Sequence, residues 1–229
     1  MDIKLKHGEI LDRQKESYWD VGLDPEFIYD GPSHWDKYEE SNPRIVFLAK
    51  EAHSSFAPSE PRVVDDRFTR NIARWAYLIN AHGDSTNISV MPESDKLQEY
   101  YNRIAIVEVK KVNEDKKRSS PTELKDYAWK DQFYLKRQIE ILSPHVVLCC
   151  GTLDYFDIIF DYTYEVEKKI YSNSEVACWL VNDMLVIDFY HPSTTKKGNT
   201  DNKLFKLLTD LLSNQAVQSN YSKIINNKI

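Results

Sequence analysis

Stretches that are apolar at almost every position alternate along this chain with longer stretches that are apolar at every third or fourth. Ile45 to Ala49 (IVFLA), Arg103 to Val109 (RIAIVEV), His145 to Cys150 (HVVLCC), and the paired runs 176–181 and 184–190 are of the first kind. A run with no polar face predicts a strand covered on both sides, the situation of a parallel sheet. Asn182-Asp183, between the last two runs, predicts a hairpin turn. The second kind predicts helices. Residues 65–81 place Phe68, Ile72, Trp75, Ala76 and Ile79 on one face, and residues 122–142 do the same with Leu124, Ala128, Phe133, Leu135, Ile139 and Leu142 before Ser143-Pro144 ends the pattern. Residues 201–212 carry Leu204, Leu207, Leu208 and Leu211 at helical spacing, and shorter helices are expected within 4–15 and near 153–160.

Strands alternating with helices predict an α/β protein: a three-layer α/β/α sandwich with a mainly parallel central sheet of about four strands. No linker or internal repeat divides the 229 residues, so one domain is expected. Residues 1–40 read as an N-terminal extension pinned by aromatic contacts, and 213–229 as a polar tail that frays.

Composition narrows the function classes. Apolar residues make up 41% and charged residues 29%, and no run reaches the roughly 18 apolar residues of a membrane helix. The first sixteen residues lack the apolar core of a signal peptide, so a cytoplasmic protein is expected. Three cysteines, two of them adjacent at Cys149 and Cys150, fit buried free thiols without metal spacing, so no metal and no cofactor is expected. A formal charge of −6 weighs against generic nucleic-acid affinity and leaves room for a local basic rim. A monomer is expected.

The chemistry collects where the apolar runs stop. Lys50, Glu51, His53, Ser54 and Ser55 follow the first, Glu108, Lys110, Lys111 and Asn113 end the second, and His191, Pro192, Ser193, Thr194, Thr195, Lys196 and Lys197 follow the last. In open α/β sheets ligands sit at the carboxyl ends of the strands.

Three of these segments, in order, resemble motifs of the uracil-DNA glycosylase superfamily. LAKEAHSS occupies the place of the family's water-activating motif, Gly-Gln-Asp-Pro-Tyr in one branch and Gly-Glu-Ala-Pro-Gly in another. QIEILSPHVVLCCG, Gln138 to Gly151, is similar to its helix–Pro–strand–Gly passage. HPSTT carries the His-Pro-Ser of its second motif. The resemblance spans about residues 40–212. It implies a DNA glycosylase that flips a base out of the helix and hydrolyses its glycosidic bond. Glu51 would orient water and stabilise the cationic sugar, and His191 would donate a hydrogen bond to the departing base. Phe56 would stack on the base. Ser54, Ser55, Ser193, Thr194, Thr195, Lys110, Lys111, Lys196 and Lys197 would contact DNA phosphates.

The departures from the family also carry information. His53 stands where one branch has a tyrosine that excludes 5-methyl groups. The base-reading asparagine is replaced by Glu108, with Asn113 as the alternative. The four cysteines of the iron–sulfur branches are absent. A carboxylate suits the N4 amine of cytosine better than it suits uracil. A 5-substituted, even glucosylated, cytosine of phage DNA therefore stands beside uracil as the expected base, which would resemble the anti-phage members of the superfamily. Two other readings remain open: a non-catalytic nucleic-acid-binding module, and a nucleotide hydrolase on the same fold.

Overall fold

The computed structural model describes residues 2–20, 26–51, 64–83, 94–113, 118–161, 169–194 and 200–227. The four apolar runs form its centre. Strands β3 (Ile45–Glu51), β4 (Ile104–Lys110), β6 (Val146–Cys150) and β9 (Met184–Phe189) lie in the order β4-β3-β6-β9, with every neighbouring pair parallel. Successive side chains of a strand point to opposite faces. Ile45, Phe47 and Ala49 therefore join one core with Leu148, Cys150 and Ile187, against helices α3 (Arg67–Gly83), α4 (Ser94–Asn102), α8 (Asp201–Leu212) and α9 (Gln215–Asn227). Val46 and Leu48 join the other with Val107, Val147 and Val186, against α5 (Pro121–Lys130), α6 (Gln132–Leu142) and α7 (Leu153–Phe160). Both faces are dry, which is why these runs carry no polar alternation.

The sheet is larger and more mixed than expected. Among the described residues it has seven strands rather than about four, and it is not mainly parallel. On one side β2 (Gly31–Pro32) pairs antiparallel with β4. On the other, β8 (Ala177–Val181) and β7 (Lys169–Ser172) add two antiparallel pairings. The hairpin at Asn182-Asp183 forces the first of these, because both residues take left-handed φ (47° and 59°), as a two-residue hairpin turn requires. The outermost strands are short or polar and leave little trace in the sequence.

Two further expectations are corrected. The single helix over 122–142 is two helices, broken at Asp131, a buried residue that accepts a hydrogen bond from the Tyr18 hydroxyl and is the C-cap of α5. The tail does not fray. Val217, Tyr221 and Ile224 of α9 are buried, and the Tyr221 hydroxyl donates to the carbonyl of Ile79 at 2.5 Å. The N-terminal part is held by aromatic contacts, among them His7–Trp35 and Tyr18–Phe27, and by regular secondary structure. Helix α1 (Ile3–Trp19) packs on α6, and β1 (Glu26–Phe27) pairs with β5 (Val112–Asn113).

A buried polar knot ties this N-terminal part to the sheet. Lys111 and Asp30 form an ion pair whose side chains are 0% and 1% exposed. Asp30 also accepts the Glu108 backbone N–H at 2.6 Å and the Gln138 side-chain amide, and that amide lies 3.0 Å from His7 Nε2. The amide donates, so the His7 ring is neutral with Nε2 as acceptor. Gly31 makes room for the ring: a Cβ there would lie 2.6 Å from His7 Cε1.

Burial holds His7 down to about 4 from an ordinary value of 6.5, against the opposing pull of Asp30. The unfolded chain therefore binds more protons than the folded one between those pH values, and stability falls as pH drops through that window. The shift corresponds to about 3 kcal/mol. Urea unfolding at pH 7 and pH 4 is expected to show this loss, and His7→Gln is expected to start less stable and to lose correspondingly less on acidification.

Candidate active site

Strands β3, β4, β6 and β9 all end on the same edge of the sheet, and three of their exits meet at Gly151. Neighbouring strands are about 4.8 Å apart, so β3 and β9, with β6 between them, are separated by roughly 10 Å. Gly151 closes that gap. Its N–H donates to the Phe189 carbonyl at 2.8 Å, and its φ is +67°. A Cβ built on it would lie 3.7 Å from Lys50 Cε, 3.9 Å from Lys50 Nζ and 4.0 Å from the His191 backbone N. The loop after β9 and the exit of β3 thus approach one glycine.

Glu51, the last residue of β3, is half-buried and firmly held. The Ser119 backbone N–H donates to both carboxylate oxygens, at 2.9 and 3.2 Å, and the Ser119 hydroxyl donates to Oε2 at 2.6 Å. Ser119 immediately precedes Ser120, the N-cap of α5, so the carboxylate sits where the helix start favours an anion.

His191, two residues past β9, is fixed from the other layer. Its Nδ1 accepts the Ser193 backbone N–H at 3.2 Å, and its carbonyl accepts the Thr194 N–H at 2.9 Å. In the neutral ring this puts the proton on Nε2. The ring lies 5.8 Å from that of Phe68 on α3. The Asn71 amide donates to the Pro192 carbonyl at 2.8 Å, and Asn71 belongs to a group with Asp201, Arg67 and Arg74 that joins α3 to the start of α8. Glu51 and His191 share the edge but are held from opposite layers.

Glu108 lies level with Ala49 near the end of β4, only 4% exposed. Cys150 lies two strands away, on β6 across β3: burial first, then the Glu108 charge, raises that thiol. Asn113 is placed by its backbone in β5, opposite Glu26. Ser193 and Thr194 form the turn after His191. His53, Ser54, Ser55, Phe56, Thr195, Lys196 and Lys197 lie outside the described residues.

Lys110 and Lys111 do not form the expected basic rim. They are 2% and 0% exposed. Lys111 belongs to the Asp30 knot, and Lys110 is engaged by Glu123 at 2.6 Å and Ser119 at 3.0 Å. A buried ammonium next to a carboxylate is a structural cation, not a phosphate contact.

Sequence reading missed the groups that position the expected ones. Ser119 belongs to a charged, turn-rich stretch, and only its place before a helix start distinguishes it. Asn71 sits inside a strongly amphipathic helix whose polar positions look like solvent-facing ones. Asp188, in register with Cys149 on β9, is raised to about 6 by burial and by the Asp154 carboxylate. An acid inside an apolar run, LVIDFY, is a signal that composition alone passes over.

Among the described residues, no group of three or more His, Cys, Asp or Glu side chains could hold a metal ion. No helix among them is long and apolar enough to cross a membrane. No protein-family model matches the chain, and no curated protein matches it.

The role of Gly151 can be tested directly. Its Cβ contacts would be ordinary van der Waals distances, so the cost of a side chain is the left-handed backbone. Gly151→Ala is expected to lower stability by about 1–2 kcal/mol in denaturant titrations, with an unchanged m-value.

Proposed function

We propose that this protein is a DNA glycosylase working at the carboxyl edge of the four parallel strands. The observation that carries the reading is the meeting of two strand exits at Gly151: a carboxylate follows Lys50 on one, and an imidazole whose Nδ1 is held as an acceptor stands on the other. These are the two groups that hydrolysis of a glycosidic bond needs. The bond from C1′ to the base nitrogen stretches first, leaving positive charge on the sugar and negative charge on the base. Glu51 stabilises the sugar cation and orients the water whose oxygen bonds to C1′. The His191 Nε2–H donates to the base oxygen as its charge grows. One water proton ends on the released base, and the other stays on the new sugar hydroxyl.

The finer reading concerns the base. A carboxylate at Glu108, without the tyrosine that excludes 5-substituents, favours a 5-substituted cytosine over uracil. Base flipping would bring that base to the sheet edge, with the phosphates held by the segments after β3 and β9. A second reading has its own support. With Lys110 and Lys111 internal and the net charge at −6, two of the four lysines expected to meet phosphates are withdrawn from the surface, and a nucleotide hydrolase needs less basic surface than a DNA groove. Incubation with duplex DNA, single-stranded DNA and free nucleotides, with mass spectrometry of the released bases, separates the two.

Glu51→Gln keeps size and polarity but cannot carry the charge. It is expected to slow single-turnover base release by roughly 10²- to 10⁴-fold with DNA affinity nearly constant. His191→Ala is expected to slow it by roughly 10²-fold or more. A folded Glu51→Gln protein that releases base at the wild-type rate would refute the proposal.

A further inference from the structure

Glu51 is held by Ser119, whose own partners are Lys110 and Glu123, and their geometry defines a positioning device. Lys110, 3% exposed at its side chain, donates to Glu123 at 2.6 Å and to the Ser119 hydroxyl oxygen at 3.0 Å. Ser119 Oγ has one proton to give and two carboxylates within reach, Glu51 at 2.6 Å and Glu123 at 3.0 Å. The ammonium satisfies Glu123 and, as the first cause, holds its carboxyl below the usual range. The hydroxyl proton is thereby left for Glu51, and the Ser119 N–H reinforces it at 2.9 Å.

We propose that Ser119, seated on the Lys110–Glu123 ion pair, is the positioning residue that aims the Glu51 carboxylate in the glycosylase reaction. The proposal rests on the role of Glu51 proposed above. A carboxylate has about four acceptor positions. The three contacts from Ser119 use one on Oε1 and two on Oε2, which directs the remaining one, on Oε1, toward the water. The carboxylate is thus fixed before substrate arrives, and no reorganisation is needed as charge develops. Lys110 and Glu123 act one step further back. Their charges cancel, so the hydroxyl proton is oriented without a net charge beside the site.

Single-turnover base release measured for Ser119→Ala, Ser119→Thr, Glu51→Gln and the Glu51→Gln/Ser119→Ala double variant tests this. Ser119→Ala removes a charge-assisted hydrogen bond and is expected to slow release by roughly 10- to 100-fold, with DNA affinity and melting temperature near wild type. Ser119→Thr keeps the hydroxyl and is expected to restore most of the rate. On the Glu51→Gln background, Ser119→Ala is expected to cost almost nothing more, because the group it aims is already gone. Without any substrate, the Ser119 amide proton is expected to shift upfield in the NMR spectrum of Glu51→Gln. A Ser119→Ala protein at the wild-type rate overturns the inference. So does an equal loss on both backgrounds, which leaves the role of Glu51 standing. A Glu51→Gln protein at the wild-type rate removes the reading underneath and is distinguished by that variant alone.

Discussion

Covering the four parallel strands on both faces is the constraint on which the rest of the molecule depends. A strand with no wet face has little room for a charge, so β3, β4, β6 and β9 are apolar over most of their length, and their charged residues, Glu51, Glu108, Lys110 and Asp188 among them, fall toward the carboxyl ends. Two of the ammonium groups that enter the buried layer do so with a carboxylate. Lys111 finds Asp30, and Lys110 finds Glu123. Removing one member of the fully buried Lys111–Asp30 pair leaves an uncompensated buried charge, a loss that typically costs about 3–5 kcal/mol. The segment carrying Asp30 is thereby fixed as firmly as the strands it borders, and with it the His7 and Gln138 contacts that dock α1 on α6.

The same constraint explains which parts of the structure could be read from the sequence. A run apolar on every position is a strong local signal, and so is the helical spacing of α3 and α8. The edges of the sheet are weak signals: β2 is Gly31-Pro32, and β7 is the polar KIYS. In α9 the buried Val217, Tyr221 and Ile224 are spaced by four and three, but the polar residues between them dominate the local average. The break at Asp131 depends on Tyr18, 113 residues away, and no local pattern encodes it.

The candidate site divides in the same way. Glu51 and His191 could be singled out because each follows a buried strand. What holds them could not. Ser119 is 68 residues from Glu51, and Pro192 is 121 residues from the Asn71 that holds it. Lys110 and Lys111 were misread for a related reason. Charge in a sequence is visible without its partner, and two adjacent lysines at a strand end look like a rim until an aspartate some 80 residues earlier is folded against one of them.

The two candidate groups also share a mode of fixation that bears on how a substrate could approach. In each, a main-chain N–H holds a side-chain acceptor: Ser119 N–H holds the Glu51 carboxylate, and Ser193 N–H holds His191 Nδ1. Main-chain donors at a helix start and in a Pro-containing turn are rigid, so neither group depends on a mobile partner for its orientation. Ser119 belongs to the α5 layer, whereas the His191 ring rests on Phe68 of the α3 layer. A substrate touching both must therefore lie across the sheet edge, over Gly151. In the proposed reaction that places the sugar between the groups, with the carboxylate on one side of the breaking bond and the imidazole donor on the other.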